Sequence, residues 1–355
     1  MNRLIIIGNG FDLAHGLKTS FKDFIADYLY NVIVDFEEND KYNDKLITIN
    51  YTGRGTIDLG CYSLEESIDL FLRIMKTEQV RVTFKSDFFR RVLDKINSLN
   101  WVDIEVEYYA VMVKNRKIPE LIKNLNSEFS YMKDLLMDYL KGQEESYDEN
   151  IYSHQLQECF GEVINVDEIL MKNRIHKDRP SKILFLNFNY TNILMKYFNK
   201  IGGDKDVNYI HGNLEGNQGE PIFGFGDEFD KHYEEIEGFN DNEYFRHIKS
   251  FEYSKNQSYF SLMRFISSGM YQVQIYGHSC GISDRTMLNK IFENDWCKSI
   301  KIFYYENENG NDFIDRLNNI SRHFKDKTIL REKIVPLDMC KAMPQPKEEF
   351  EANLN

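Results

Sequence analysis

Paired cysteines are missing from this chain. Five of its 355 residues are cysteine, and Cys61, Cys159, Cys280, Cys297 and Cys340 form no C-x-x-C pair. The odd count and wide spacing argue against a disulfide framework or a zinc ribbon and point to a reducing cytosol. Long apolar runs are missing too. None approaches the ~20 residues that span a bilayer. The first apolar run is too short for a signal-peptide core, and glycine interrupts it at once. A soluble cytoplasmic protein without membrane association is expected. Basic residues are in deficit, 44 against 57 acids, for a net charge of −13. A broad duplex-binding surface needs a basic stripe, so nucleic acid is not an expected partner. What is present is apolar and aromatic: 42% hydrophobic residues, with 26 Phe and 22 Tyr. That is ample for a sizeable core.

The apolar pattern changes period along the chain. Residues 3–7 (RLIII) read as a buried strand, and TSFKDFIADYLYNVIVDF after it has helical spacing. A polar stretch, DKYNDKLITINYTGRGTIDLG, reads as a hairpin or ordered loop. From about 63 to 172 the spacing is almost wholly helical, with Pro119 as the only proline. Beyond Pro180 come runs of strand length at 182–188, 207–212, 221–226, 271–277 and 300–305, with helical patterns after the last two. Ser283 or Asp284 is the expected N-cap of the helix DRTMLNKIF. Strands alternating with helices predict an α/β fold, a Rossmann-like parallel sheet flanked by helices. The expected domain covers 1–340, with a large helical insertion at about 60–178, after the first strand and glycine loop, and a flexible tail at 341–355.

The first strand runs into Gly8-Asn9-Gly10. Ligands of open α/β sheets bind outside the carboxyl ends of strands, and glycine lets a phosphate approach the backbone. The dehydrogenase fingerprint needs a third glycine where Leu13 stands; the Walker loop needs Gly-Lys-Ser/Thr, and Leu17 separates Gly16 from Lys18-Thr19. A plain strand-to-helix turn is the structural alternative. Three further strand ends bear similar residues. Asn187 and Asn189 end one, where amides can orient a ribose hydroxyl or a water, or cap a helix. His211 beside Gly212 ends another and suits a general base near neutral pH. Gly277, His278, Ser279 and Gly281 end a third. Together the four ends can line one crevice. In NWVDIEVEYY, Asp103 and Glu107 share a helix face, and a solvated acidic face is the plain reading. A nuclease metal site would want more acids or a histidine nearby, and none is close in sequence; no metal is expected.

IIIGNGFDLAHGLKTSF, NWVDIEVEYY, FNYTN, IHG and IYGHSCGISD, in this order, closely resemble the AbiH family of phage abortive-infection proteins. A more distant resemblance is to sirtuins. Their glycine loop looks like Gly8 to Lys18, with matching spacing at Gly8, Gly10 and Gly16. Their T-Q-N-I-D looks like Asn187 to Thr191, their H-G like His211-Gly212, and their late G-x-S like Gly277-His278-Ser279. Lys18, Phe21 and Thr191 depart from that pattern, and the zinc-binding cysteines are absent. Sirtuin-like NAD hydrolases of phage defence, which also lack the zinc module, are the better match. The resemblance implies an effector that hydrolyses NAD to nicotinamide and ADP-ribose. It implies Asn189 positioning water or ribose and His211 as base. Gly8, Asn9 and Gly10 would hold the pyrophosphate, with Gly16 in the same loop and Asn187 beside the ribose. Gly277 and Ser279 would meet the adenosine ribose. Asp12 would bond a ribose hydroxyl or, as the preferred role, cap the next helix. Trp101, Asp103 and Glu105 would cover the nucleotide crevice. The helical insertion would serve self-association or a partner. The rival expectations are a nucleotide-sensing module that controls a partner and a metal-dependent nuclease or NTPase.

Overall fold

Leu4 and Ile6 project to one side of the first strand, Ile5 and Ile7 to the other, and all four are fully buried. A strand covered on both faces belongs inside a parallel sheet. The computed structural model, which describes residues 1–53, 59–98, 104–170, 179–226 and 230–354, places it there. Strand β1 (Asn2–Ile7) lies between β2 (Ile183–Asn187) and β4 (Tyr271–Tyr276). Beyond them lie β3 (Lys205–Tyr209) on one side, and β5 (Cys297–Tyr304) then β6 (Lys341–Ala342) on the other. All five pairings are parallel, in the order 3-2-1-4-5-6. This is the doubly wound order, which reverses direction between β1 and β4.

Register aligns the carboxyl ends. Ile7 pairs with Asn187 and with Tyr276, and Asn187 pairs with Tyr209. The residues that follow, Gly8, Phe188, Gly277 and Ile210, therefore leave the sheet along one edge. The opposite half of one sheet face is polar. Arg3 is fully buried and donates to the carbonyls of Phe160 and Glu162 and to Gln272. Buried Lys301 pairs with Glu162 at 2.9 Å and Glu168 at 2.8 Å. These charges are tolerated inside because each finds partners.

Two compact units are present. The first comprises Met1–Leu17, Leu140–Asp230 and Ile248–Asn355 and holds the parallel sheet. The second comprises Lys18–Tyr139 and Lys231–His247, whereas the expected insertion began near 60 and ended near 178. Its long helix Phe21–Asn39 starts at a capping box between Ser20 and Asp23. Of the two forms expected for the polar stretch, hairpin or ordered loop, it takes the hairpin, Lys41–Asn43 with Ile47–Tyr51. A third antiparallel strand, Val80–Phe84, joins it inside the stretch expected to be helical; β-branched Val80, Val82 and Thr83 favour the extended form. The plain alternative for helix Ile104–Asn115, a solvated acidic face, does not hold. Glu105 and Glu107 are buried, and Glu107 meets Lys95 at 2.6 Å and Arg91 at 3.7 Å. Trp101 and Asp103 lie outside the described residues.

Two other expectations need correction. Residues 221–226 form no strand; Phe225 makes a lone bridge to Ile248, because Pro221 and two glycines interrupt the run. The segment from 341, expected to be a flexible tail, supplies β6 and the helix Pro346–Leu354. Met343, an apolar residue among polar ones, anchors it in the core. No helix among the described residues is long and apolar enough to cross a membrane.

At the reversal point the loops after β1 and β4 touch through backbone. The Gly10 N–H donates to the Gly277 carbonyl at 2.8 Å. A Cβ on Gly277 would lie 2.2 Å from the Phe11 nitrogen, and Gly277 holds φ at +65°. A Cβ on Gly8 would lie 2.5 Å from the His278 Cα. Contact and conformation both demand glycine at 277. Gly277→Ala is expected to lower unfolding stability by at least about 2 kcal/mol, read as the urea midpoint; an unchanged midpoint would refute the interlock.

Candidate functional site

Two buried polar clusters sit along the carboxyl edge. The first surrounds Asp12, in the short helix Asn9–Ala14 that follows β1. Its carboxylate accepts from the Asn189 amide at 2.8 Å and from the Thr191 hydroxyl at 2.6 Å. The same Asn189 nitrogen donates to the Gly8 carbonyl at 3.1 Å. Asn187 accepts from the Asn189 backbone at 3.1 Å. Asp12 therefore caps no helix, contrary to the preferred expectation: Gly8 precedes its own helix, and Ser20 caps the next. Burial raises the Asp12 carboxyl to about 7, outweighing the bonds from Thr191 and Asn189. Gly16, at φ +85°, ends the helix, with its N–H donating to the Leu13 carbonyl. His15 is structural, held between the Phe11 carbonyl and the Tyr197 hydroxyl at 2.7 Å each.

The second cluster surrounds Asp284. It occupies the expected N-cap position of helix Arg285–Phe292, but its side chain makes no capping bond. Its Oδ1 instead meets Lys249 Nζ at 2.8 Å and His211 Nε2 at 3.2 Å. His278 Nε2 lies 4.0 Å from Oδ2. Lys249 is 1% exposed, so its charge is neutralised inside the protein rather than by solvent. The three cationic or potentially cationic neighbours hold the Asp284 carboxyl far below its ordinary range, against the opposing effect of burial. His211 is held below its ordinary value by burial first and Lys249 second; Asp284 and a hydrogen bond with the Phe188 backbone oppose this. The imidazole is thus neutral at pH 7 and able to accept a proton. Its Nε2 also lies 3.1 Å from the Tyr253 hydroxyl.

Phe188 packs between the histidines, its ring 5.1 Å from His211 and 4.1 Å from His278. His278 in turn backs onto Gly8. The expected residues thus divide: Gly8, Asp12, Asn187 and Asn189 lie together, His211 joins the second cluster, and Gly10 and Gly277 form the interlock. Asn9 is half-buried at the start of its helix. Ser279 is half-buried, and its carbonyl accepts from Asn319 at 2.9 Å. Lys249, Tyr253 and the ionic role of Asp284 had no signal in sequence; Thr191 stood beside Asn189 but was not singled out for a bond to Asp12.

A doubly wound parallel sheet flanked by helices, with two buried polar clusters at its carboxyl edge, defines an α/β protein. The family description "Bacteriophage abortive infection AbiH" matches residues 4–306. The chain belongs to the AbiH family of bacteriophage abortive-infection proteins. No curated protein matches it closely enough to report.

Two outcomes follow from the buried charges. Asp284→Asn removes the carboxylate that buried Lys249 meets at 2.8 Å, which should cost about 3–5 kcal/mol; adding Lys249→Met should recover most of it, and a double variant no more stable than the single would refute the pairing. For Asp12 the folded carboxyl titrates near 7 and the unfolded one at the ordinary 3.8. Its contribution is fully present below the unfolded value and is lost as pH rises through about 7. Asp12→Asn mimics the protonated acid, so its stability should be flatter than that of the unsubstituted protein over this window in urea titrations; identical slopes would refute the assignment.

Proposed function

We propose that this abortive-infection protein acts by hydrolysing NAD to nicotinamide and ADP-ribose at the carboxyl edge of the sheet. One observation carries the reading: neutral, buried His211 lies 3.2 Å from a carboxylate and 3.1 Å from a tyrosine hydroxyl, at the strand ends where doubly wound sheets bind nucleotides. In the reaction the bond between ribose C1′ and the pyridinium nitrogen breaks. Its electron pair leaves with nicotinamide, which departs neutral. A water oxygen bonds C1′ and gives up its proton. His211 takes that proton, through the Tyr253 hydroxyl or directly, and Asp284 stabilises the imidazolium that forms. Asn189 is immobilised by Asp12 and Gly8, which leaves its carbonyl oxygen to orient water or ribose. The glycines support the reading indirectly, by fixing two of the loops at the carboxyl edge.

The test follows nicotinamide and ADP-ribose in purified protein incubated with NAD, with and without EDTA, and NAD content in phage-infected cells. Release should persist in EDTA. His211→Ala should lower it by at least ~10²-fold in a protein that remains folded by circular dichroism. Full activity in His211→Ala, or undiminished NAD in infected cells, would reject the hydrolase. Binding of NAD without loss would make the protein a sensor.

A further inference from the structure

A cavity of about 290 Å³ adjoins the second cluster, with Asp284 and Tyr253 in its wall. That volume is at the small end for ligand sites, on the scale of one nucleoside rather than a dinucleotide. Four features of the lining define what it can take. Tyr253 and Tyr259 have nearly parallel rings, 9° apart with centroids 5.5 Å apart, and the stack continues to His211 at 7° and 6.1 Å. Such a stack accepts a further flat ring.

The Asp284 carboxylate divides its work. Oδ1 faces Lys249 and His211, whereas among the described residues Oδ2 has only His278 near it, at 4.0 Å. An ionised carboxylate can accept about four hydrogen bonds, so Oδ2 has capacity to spare. Lys249 already balances the charge, so a neutral N–H donor suits this oxygen better than a second cation. Ser250 also lines the cavity, and its buried hydroxyl has no hydrogen-bond partner among the described residues. At the rim stands Lys290, exposed and without an ion pair among the described residues.

We infer that this cavity seats the ring end of a nucleotide: a planar heteroaromatic ring whose exocyclic amino or carboxamide group donates to Asp284 Oδ2, with its phosphate at Lys290. The ring stacks on the tyrosines, and Ser250 pairs with a second polar atom of the ring or its substituent. Nicotinamide and adenine, the two ends of NAD, share this chemistry. The inference deepens the proposed function and rests on it for the identity of the nucleotide.

Calorimetric titration of the unsubstituted full chain separates the two ends. The probes are nicotinamide mononucleotide, AMP, nicotinamide and adenine. One mononucleotide should bind, and its base names the end that the cavity takes. Tyr259→Ala should weaken that binding about tenfold through lost stacking. Lys290→Glu, at an exposed position, should weaken the mononucleotide by a similar factor and leave the free ring unchanged. Absence of binding by either mononucleotide would overturn the inference. So would unchanged affinity in both variants. Retained ring binding in a protein that never consumes NAD would remove the hydrolase reading and leave this one standing.

Discussion

The whole edge depends on one contact: backbone pressed against backbone where β1 and β4 part. Gly277 leaves no room for a side chain between itself and Phe11, and Gly8 leaves none between itself and His278. That closeness brings the short helix after β1 against the loop after β4. The Asp12 cluster hangs from one loop and His278 from the other. In dinucleotide-binding folds a glycine at this turn is commonly explained by phosphate approach. Here the space beside each glycine is filled by protein, so the sequence spacing reports loop packing first.

The two polar clusters solve the cost of burial in opposite ways. Around Asp12 no cation is paired with the carboxyl among the described residues, and burial drives it toward its neutral form, with Asn189 and Thr191 as hydrogen-bond donors. Around Asp284 there is a buried ammonium, and the carboxylate stays charged. Two acids on one edge thus have different protonation behaviour because only one has Lys249 beside it. His211 sits with the charged acid, so a proton that it accepts meets a compensating charge.

Much of this was legible in sequence. Buried-on-both-faces strands such as RLIII and KILFLNF announce themselves by unbroken apolar runs, and their glycine and asparagine ends located the edge. Four features were not. The strand β6 is only two residues long, too short for any period to register. Val80–Phe84 lay among helical patterns and was absorbed by them. Lys249 sits in FRHIKSFEYSK, where nothing distinguishes a buried lysine from a solvated one; its partner is 35 positions away. Asp284 holds the expected N-cap position, but a cap and an ion-pair carboxylate share the same place before a helix, so its ionic role had no signal. Local rules describe what a residue offers, while tertiary contacts decide what takes it.

The placement of β1 has a consequence for synthesis. The strand precedes its sheet partners by a long stretch of chain, since they begin at Ile183 and Tyr271. Contacts so distant along the chain form late. Until β4 emerges, Gly8 and Gly10 have nothing to lock against, and the second cluster still lacks Asp284. An incomplete chain therefore carries no assembled edge. In this member of an abortive-infection family, the order of the strands therefore leaves any fragment that stops short of Asp284 without the second cluster and without the glycine interlock's ionic neighbour.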